Sequence, residues 1–367
     1  MSSPESLPFN ASIEEYQAQA DALFEAVKSR DESAEWRFKW MHPRFRGKSL
    51  ADVKAAALDL VDAQAVIAHE YSFERWADLA AFTEAVTRDG PVSRFETAVE
   101  AVISGDVARL RAKLREHPEL VRARSMRRHK GTLLHYIAAN GVEGGRQKTP
   151  GNALEVAKVL LEGGAEVDAL ANMYDQQCTT MSMLVSSCHP AKAGLQGKLA
   201  EMLIDYGAAL EGPGSQWQSA LMTALAFGYL DTAETLARRG APLNNLAAVA
   251  GLGRAAETAR LLPIADAQSK HIALALAAQH GQVEVVRLLL DAGEDSNRYN
   301  PDGFHSHSTP LHQAVCSGHA EVVKLLVERG ARLDIRDTIY QGTPLGWAIY
   351  CEKPAIAEYL RAQGAPP

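Results

Sequence analysis

Three segments of the chain repeat one another: TPLHQAVCSGHAEVVKLLVERGARLD from Thr309 to Asp334, TPLGWAIYCEKPAIAEYLRAQGA from Thr343 to Ala365, and IALALAAQHGQVEVVRLLLDAGED from Ile272 to Asp295. A repeat of this length constrains the fold more than any other feature, because one copy cannot bury its own apolar face and must stack on the next. The residue chemistry predicts a helical hairpin for each copy. Thr309 can cap a helix N-terminus, and Pro310 follows where a missing N–H costs nothing. Leu311, Ala314 and Val315 share one helical face, and Gly318 suits the left-handed turn that ends the helix. Val322, Val323, Leu325 and Leu326 give the second helix its apolar face, and Gly330 ends it before a polar loop, or finger, leads to the next copy.

The T-P-L-H…G-H…E-V-V…L-L…G-A pattern resembles the ankyrin repeat. The resemblance implies an all-α solenoid and a binding rather than catalytic role, with partners met by fingers and inner helices. Anchors near Glu96, Thr132, Thr180, Ser219, Asn244, Ile272, Thr309 and Thr343 suggest about eight units over residues 91–367. The spacing is irregular against about 33 residues for the family. An insertion is expected between the paired helices near 141–152 (GVEGGRQKTPGN), and a smaller one near 188–197 (CHPAKAGLQG), lying beside it. The unit near 244–262 has almost no finger, so the array should bend or break there.

Residues 1–90 do not fit the repeat. EEYQAQADALFEAVKS, SLADVKAAALDLVDAQAVIAHEY and SFERWADLAAFTEAVTR read as three amphipathic helices, with a further short one broken at His42-Pro43. They resemble the helical leader of bacterial ankyrin arrays and would cap the first unit, with Trp36, Trp40 and Trp76 in core and capping contacts. At the other end, Tyr350, Glu352, Lys353, Glu358 and Arg361 are expected on a polar outer face.

Composition narrows the function. With 38 Lys+Arg against 45 Asp+Glu the net charge is −7, which disfavours nucleic acid as the partner. No secretory leader or apolar membrane span is visible, which suggests a cytoplasmic location. Cys178, Cys188, Cys316 and Cys351 form no C-x-x-C pair, and a reducing compartment fits them. Cys188, Cys316 and Cys351 recur near first-helix ends, as small packing residues do.

His312 and His319 hold the family's structural positions. His305, His307 and His312 could approach one another, but match no metal-site spacing, so surface polarity is preferred and no metal or cofactor is expected. Cys188-His189 lacks the geometry of a nucleophile and base. The richest segment is the first insertion, where Tyr136, Asn140, Glu143, Arg146, Gln147 and Lys148 could line a pocket wall. Arg146 offers a planar fork for a small anionic ligand, and Glu143 or His135 would be the acid–base group of an enzyme. His189, Trp217 and Tyr229 would lie alongside, with Met181 and Met183 replacing the repeat's Pro and His. Aromatics before helix starts, Tyr174, Trp217, Phe304 and Tyr340, are expected as finger anchors for a protein partner. A protein-binding module is the leading expectation, and a small-molecule site on residues 132–229 is the rival. No catalytic fingerprint is present.

Overall fold

The computed structural model describes residues 7–214 and 218–366. The chain folds as two compact units, 1–209 and 210–367.

The first unit opens with helices α1 (Ile13–Lys28), α2 (Glu32–Met41), α3 (Leu50–Ala55), α4 (Leu60–Glu70) and α5 (Trp76–Val86). They close around Tyr16, Leu23, Phe38, Ile67, Phe73, Leu79 and Phe82, all at most 1% exposed. The stretch expected as one helix across residues 49–71 is two. Ala56 turns extended, and Asp59 starts α4 with a capping box through Asp62. A strong internal cap thus overrides an apolar pattern that reads as continuous. Trp40 also departs from the expected core or capping role: it is 67% exposed and stacks on half-buried Trp36, with the Lys39 ammonium 3.9 Å from its ring centroid.

Paired elements follow. Helices α6 (Pro91–Ser104) and α7 (Val107–Glu116) form the first hairpin. Helix α6 begins five residues ahead of the anchor at Glu96, which lies on its buried face. The next inner element, Leu133–Ala138, is a 3-10 helix capped by Thr132 and ended by Ala139 at φ 48°. It pairs across the insertion with α8 (Ala153–Glu162). The finger beyond α8 carries a two-stranded ribbon, β1 (Ala171–Met173) and β2 (Gln176–Cys178), registered Ala171↔Cys178. Its two turn residues, Tyr174 and Asp175, both take positive φ, the backbone of a two-residue hairpin turn. Helices α9 (Thr180–Leu184), α10 (Cys188–Lys192) and α11 (Gln196–Asp205) complete this unit, α10 being built from the second insertion.

The second unit contains five hairpins: α12 (Ala220–Ala226) with α13 (Leu230–Arg238), α14 (Leu246–Gly251) with α15 (Ala255–Leu261), α16 (Ala267–Gln279) with α17 (Val283–Asp291), α18 (Pro310–Ser317) with α19 (Ala320–Glu328), and α20 (Pro344–Tyr350) with α21 (Pro354–Ala362). One buried cluster runs through the last four, from Leu246 and Val249 by way of Leu274, Val286, Leu311 and Val323 to Leu345 and Leu360. The short-spaced 244–262 segment is part of that cluster. Its second helix passes through a 3-10 turn, Leu262–Ile264, almost directly into α16. Helix α16 starts at Ala267, capped by Asp266, so it reaches back five residues beyond Ile272 and replaces the finger.

The repeat's polar residues act as links between neighbours. His312 Nδ1 meets Thr309 Oγ1 at 2.8 Å, and its Nε2 donates to the Gly342 carbonyl of the next unit at 3.3 Å. His135 does the same with Thr132 and the Cys178 carbonyl. His319 donates to the Gln279 carbonyl, and His280 to that of Leu225. At Gly281 the backbone has φ 73° and an added Cβ would lie 2.5 Å from His319 Nδ1, so glycine lets the histidine cross. The 179–182 segment keeps the cap but in a register one residue earlier than Thr180. Thr179 Oγ1 accepts from the Ser182 amide, which puts Ser182, not Met183, at the histidine position.

Candidate functional site

The first insertion folds inward. Glu96 and Glu100 lie one turn apart on α6, and Arg146 reaches both: it bonds the Glu96 carboxylate and approaches Glu100 Oε1 at 2.9 Å. Glu143 contacts Arg127, lies 3.3 Å from His129 Nε2 and accepts from the Tyr136 hydroxyl at 3.3 Å. Arg127 also lies over the contacting rings of Phe73 and Phe82, 5.0 and 4.6 Å from their centroids, and donates to the Tyr71 carbonyl at 2.7 Å. Glu96, Arg127, His129, Tyr136, Glu143 and Arg146 are all under 9% exposed.

Electrostatics make this a closed network. Burial alone would raise the Glu143 carboxyl, yet Arg127, His129 and Arg146 pull it well below the ordinary carboxylate range. Burial works against the charge on Arg146, but Glu96 and Glu143 hold it more firmly protonated than usual. Burial, with Glu143 and Glu96 nearby, raises the Tyr136 hydroxyl far above its usual value. Burial lowers His135 to about 4. These residues therefore do not form a pocket wall. The guanidinium expected to hold an anion is spent on Glu96, Glu100 and Glu143, and Glu143 and His135 have no exposed face for acid–base work.

The flanking candidates separate. Asn140 donates to Ser186 Oγ at 2.8 Å and to the Met183 carbonyl, tying the roots of the two insertions together. Gln147, half-buried, donates to the Val142 carbonyl at 2.9 Å, while Lys148 is exposed. Tyr174 is 64% exposed and donates to Asn140 Oδ1 at 2.6 Å. His189 and Tyr229 are half-buried. Trp217 lies outside the described residues.

Phe304 is 2% exposed, so it is a core residue rather than a finger anchor. The finger around it folds back: His305 Nε2 donates to the Ala226 carbonyl at 3.1 Å, which makes that histidine structural rather than surface polarity. No group of three or more metal-ligating side chains occurs among the described residues.

The finger from Ile335 to Gly342 presents two open apolar side chains. Tyr340 is 76% and Ile339 61% exposed; on adjoining α20, Ile349 is 56% and Tyr350 88% exposed. Beneath them Asp337, fully buried, accepts from the amides of Ile339, Tyr340 and Gly342 and from the Trp347 indole at 3.0 Å. The His307 ring lies between Tyr340 and Trp347, 6.3 and 5.8 Å from their centroids. A surface cavity of about 410 Å³ opens beside this finger, bordered by Tyr299, Arg332, Ile335 and Arg336.

A family model described as ankyrin repeats in three copies matches residues 246–337 and 274–367, the same stretch whose hairpins share one core. Residues 246–367 are ankyrin repeats. An ankyrin repeat-containing protein of Schizosaccharomyces pombe is 41% identical over 23% of this chain and 37% of its own length. Serine/threonine-protein kinase 12 of Arabidopsis thaliana is 33% identical over 26% of this chain and 19% of its own length. Both matches leave most of the relative uncovered. The crystal structure of the human ASB11 ankyrin repeat domain aligns over 74% of this chain and 98% of its own, at 20% identity and a TM-score of 0.39. Ankyrin repeats are generally protein-interaction modules. No helix among the described residues is long and apolar enough to cross a membrane.

Sequence reasoning missed Asp337 and the acidic partners of Arg146. The Asp337 signal was local, since D-T-I-Y-Q-G puts a carboxylate two to five residues before amides that a tight turn leaves open. Glu96 reads from the sequence only as a register mark, and its partner Arg146 lies 50 residues away.

Proposed function

We propose that this chain binds a protein partner through the 335–342 finger and the adjoining face of α20. The observation that carries this reading is the set of exposed apolar side chains Ile339, Tyr340, Ile349 and Tyr350 over a finger pinned from below by Asp337. Tyrosines supply large contact area at low entropy cost, and a pinned loop loses little further freedom on binding. The partner would present an apolar segment to the tyrosines. The cytoplasm remains the proposed location, and no cofactor, nucleic acid or catalytic step enters this reading. The rival small-molecule site on residues 132–229 loses its motive once Arg146 and Glu143 are mutually paired.

Affinity capture with the tagged full chain tests the surface. Tyr340→Ala and Tyr350→Ala should each cut recovery of a saturable partner at least about fivefold, the size expected when a central aromatic is truncated. Recovery unchanged in the double variant contradicts the assignment.

A further inference from the structure

Cys316 and Cys351 are bonded to each other, with Cα atoms 5.3 Å apart and 35 residues between them in sequence. Cys316 lies in the last turn of α18 and Cys351 caps the end of α20. The bond therefore joins the inner helices of two stacked repeats rather than the two helices of one. It also replaces the packing role expected from the sequence for these two residues. The other cysteines are unlike this pair: Cys178 is buried with Sγ toward the Met173 carbonyl, and Cys188 is exposed; both are free.

We propose that Cys316 and Cys351 form a reversible dithiol–disulfide site that sets how firmly the α20–α21 hairpin is held on α18–α19. Three observations support it. Both cysteines are half-buried and are followed or preceded by exposed residues, Ser317, Tyr350 and Glu352, so a small thiol or disulfide can reach them. The Lys353 side chain lies across Gly318 at the end of α18, with its ammonium 3.4 Å from where a Cβ would stand. Lys353, two residues beyond Cys351, thus spans to the end of the helix that carries Cys316. Finally, the two hairpins meet through Ala314, Val315, Leu345 and Ala348, the His312–Trp347 ring contact and the His312 bond to Gly342, and a covalent tie adds to that cohesion.

In the oxidising direction one thiolate attacks a low-molecular-weight disulfide such as glutathione disulfide, releasing one glutathione thiolate. The second cysteine thiolate then attacks the mixed disulfide and releases the other. Two protein thiols lose two protons and two electrons, and one glutathione disulfide becomes two glutathiones. Excess reduced glutathione reverses both steps.

The assignment of the redox site does not require the proposed partner. Its effect on recognition does rest on that reading, because Tyr350 and Ile349 flank Cys351.

The test uses the full chain equilibrated with glutathione disulfide or with excess reduced glutathione. Thiol titration after denaturation should give two free thiols per chain in the first case and four in the second, and peptide mapping should place the bridge between 316 and 351. Hydrogen exchange of amides in 344–362 should quicken on reduction by about tenfold and recover on reoxidation, as loss of a loop constraint predicts. Cys316→Ser/Cys351→Ser should exchange at the reduced rate under both conditions. Four thiols after oxidation, a bridge to Cys188, or equal exchange in both redox states would overturn the proposal. Capture of the partner by oxidised and reduced chain is read separately, so loss of the recognition surface and loss of the redox site are distinguishable.

Discussion

The Tyr340 amide donates to Asp337 Oδ1 at 2.6 Å, joining a fully buried carboxylate to a residue whose side chain is 76% exposed. The finger therefore presents its aromatic from a fixed backbone. Burial pushes the Asp337 carboxyl up, but the surrounding amides and the Trp347 indole hold it below its ordinary range. Asp337→Ala removes four hydrogen-bond acceptances at once. It should cost about 2–3 kcal/mol locally and speed hydrogen exchange at Ile339, Tyr340 and Gly342. Asp337→Asn, keeping one acceptor oxygen, should fall between the two. Exchange unchanged in Asp337→Ala would show that the loop is held by something else.

Removing Arg146 leaves Glu96 buried beside fewer cations. Arg146→Ala should destabilise the first unit by about 3–5 kcal/mol in urea unfolding, the usual result of breaking a buried pair. Arg146→Met with Glu96→Leu should recover much of that loss, since an apolar pair of similar volume avoids the buried charge. A fully stable Arg146→Ala protein would contradict the closed network.

Acid should weaken the protein in two stages. Burial lowers His280 and His312 to about 4, below the ordinary value of 6.5. Folded chain therefore binds fewer protons than unfolded chain as pH falls from 6.5 toward 4. Their contribution is fully present above pH 6.5 and is lost through that interval, up to about 3 kcal/mol for each imidazole. Glu143 acts lower down: its carboxyl is depressed when folded, so its stabilisation is present above about pH 4.5 and disappears as pH falls further. Urea midpoints at pH 7.5, 5.0 and 3.5 should decline in that order, and His280→Gln should flatten the first step. Equal midpoints at 7.5 and 5.0 would exclude the buried neutral imidazoles.

Gly281→Ala should cost more than Gly293→Ala, although both positions have positive φ. The first places a methyl against the His319 ring, whereas nothing lies within 4 Å at the second. Strain alone is about 1 kcal/mol, and the clash should bring Gly281→Ala to about 2–3. Thermal unfolding of the two variants decides it, and equal losses would mean that His319 moves aside without cost.

What the sequence made legible was local. The Thr309 cap, Pro310 and the Gly318 turn all act within ten residues of one repeat. The tight turn at Tyr174-Asp175 was hidden because neither residue is the glycine or asparagine that announces positive φ. The Arg146 pairing was hidden because Glu96 and Glu100 lie in another hairpin, and a dense polar insertion reads the same whether it faces solvent or itself. The Cys316–Cys351 bond did have a signal: its 35-residue separation nearly equals the 34-residue step from Thr309 to Thr343, so stacking in register brings equivalent positions together.

Site-specific photocrosslinking asks whether the 335–342 finger and α20 meet the same partner. A benzophenone side chain is placed at 340, at 350 or, for comparison, at exposed position 148, and the adducts are identified by mass spectrometry. One common protein partner should be captured from 340 and 350 and not from 148. Capture from 148 alone, or different sets of proteins from 340 and 350, would contradict it.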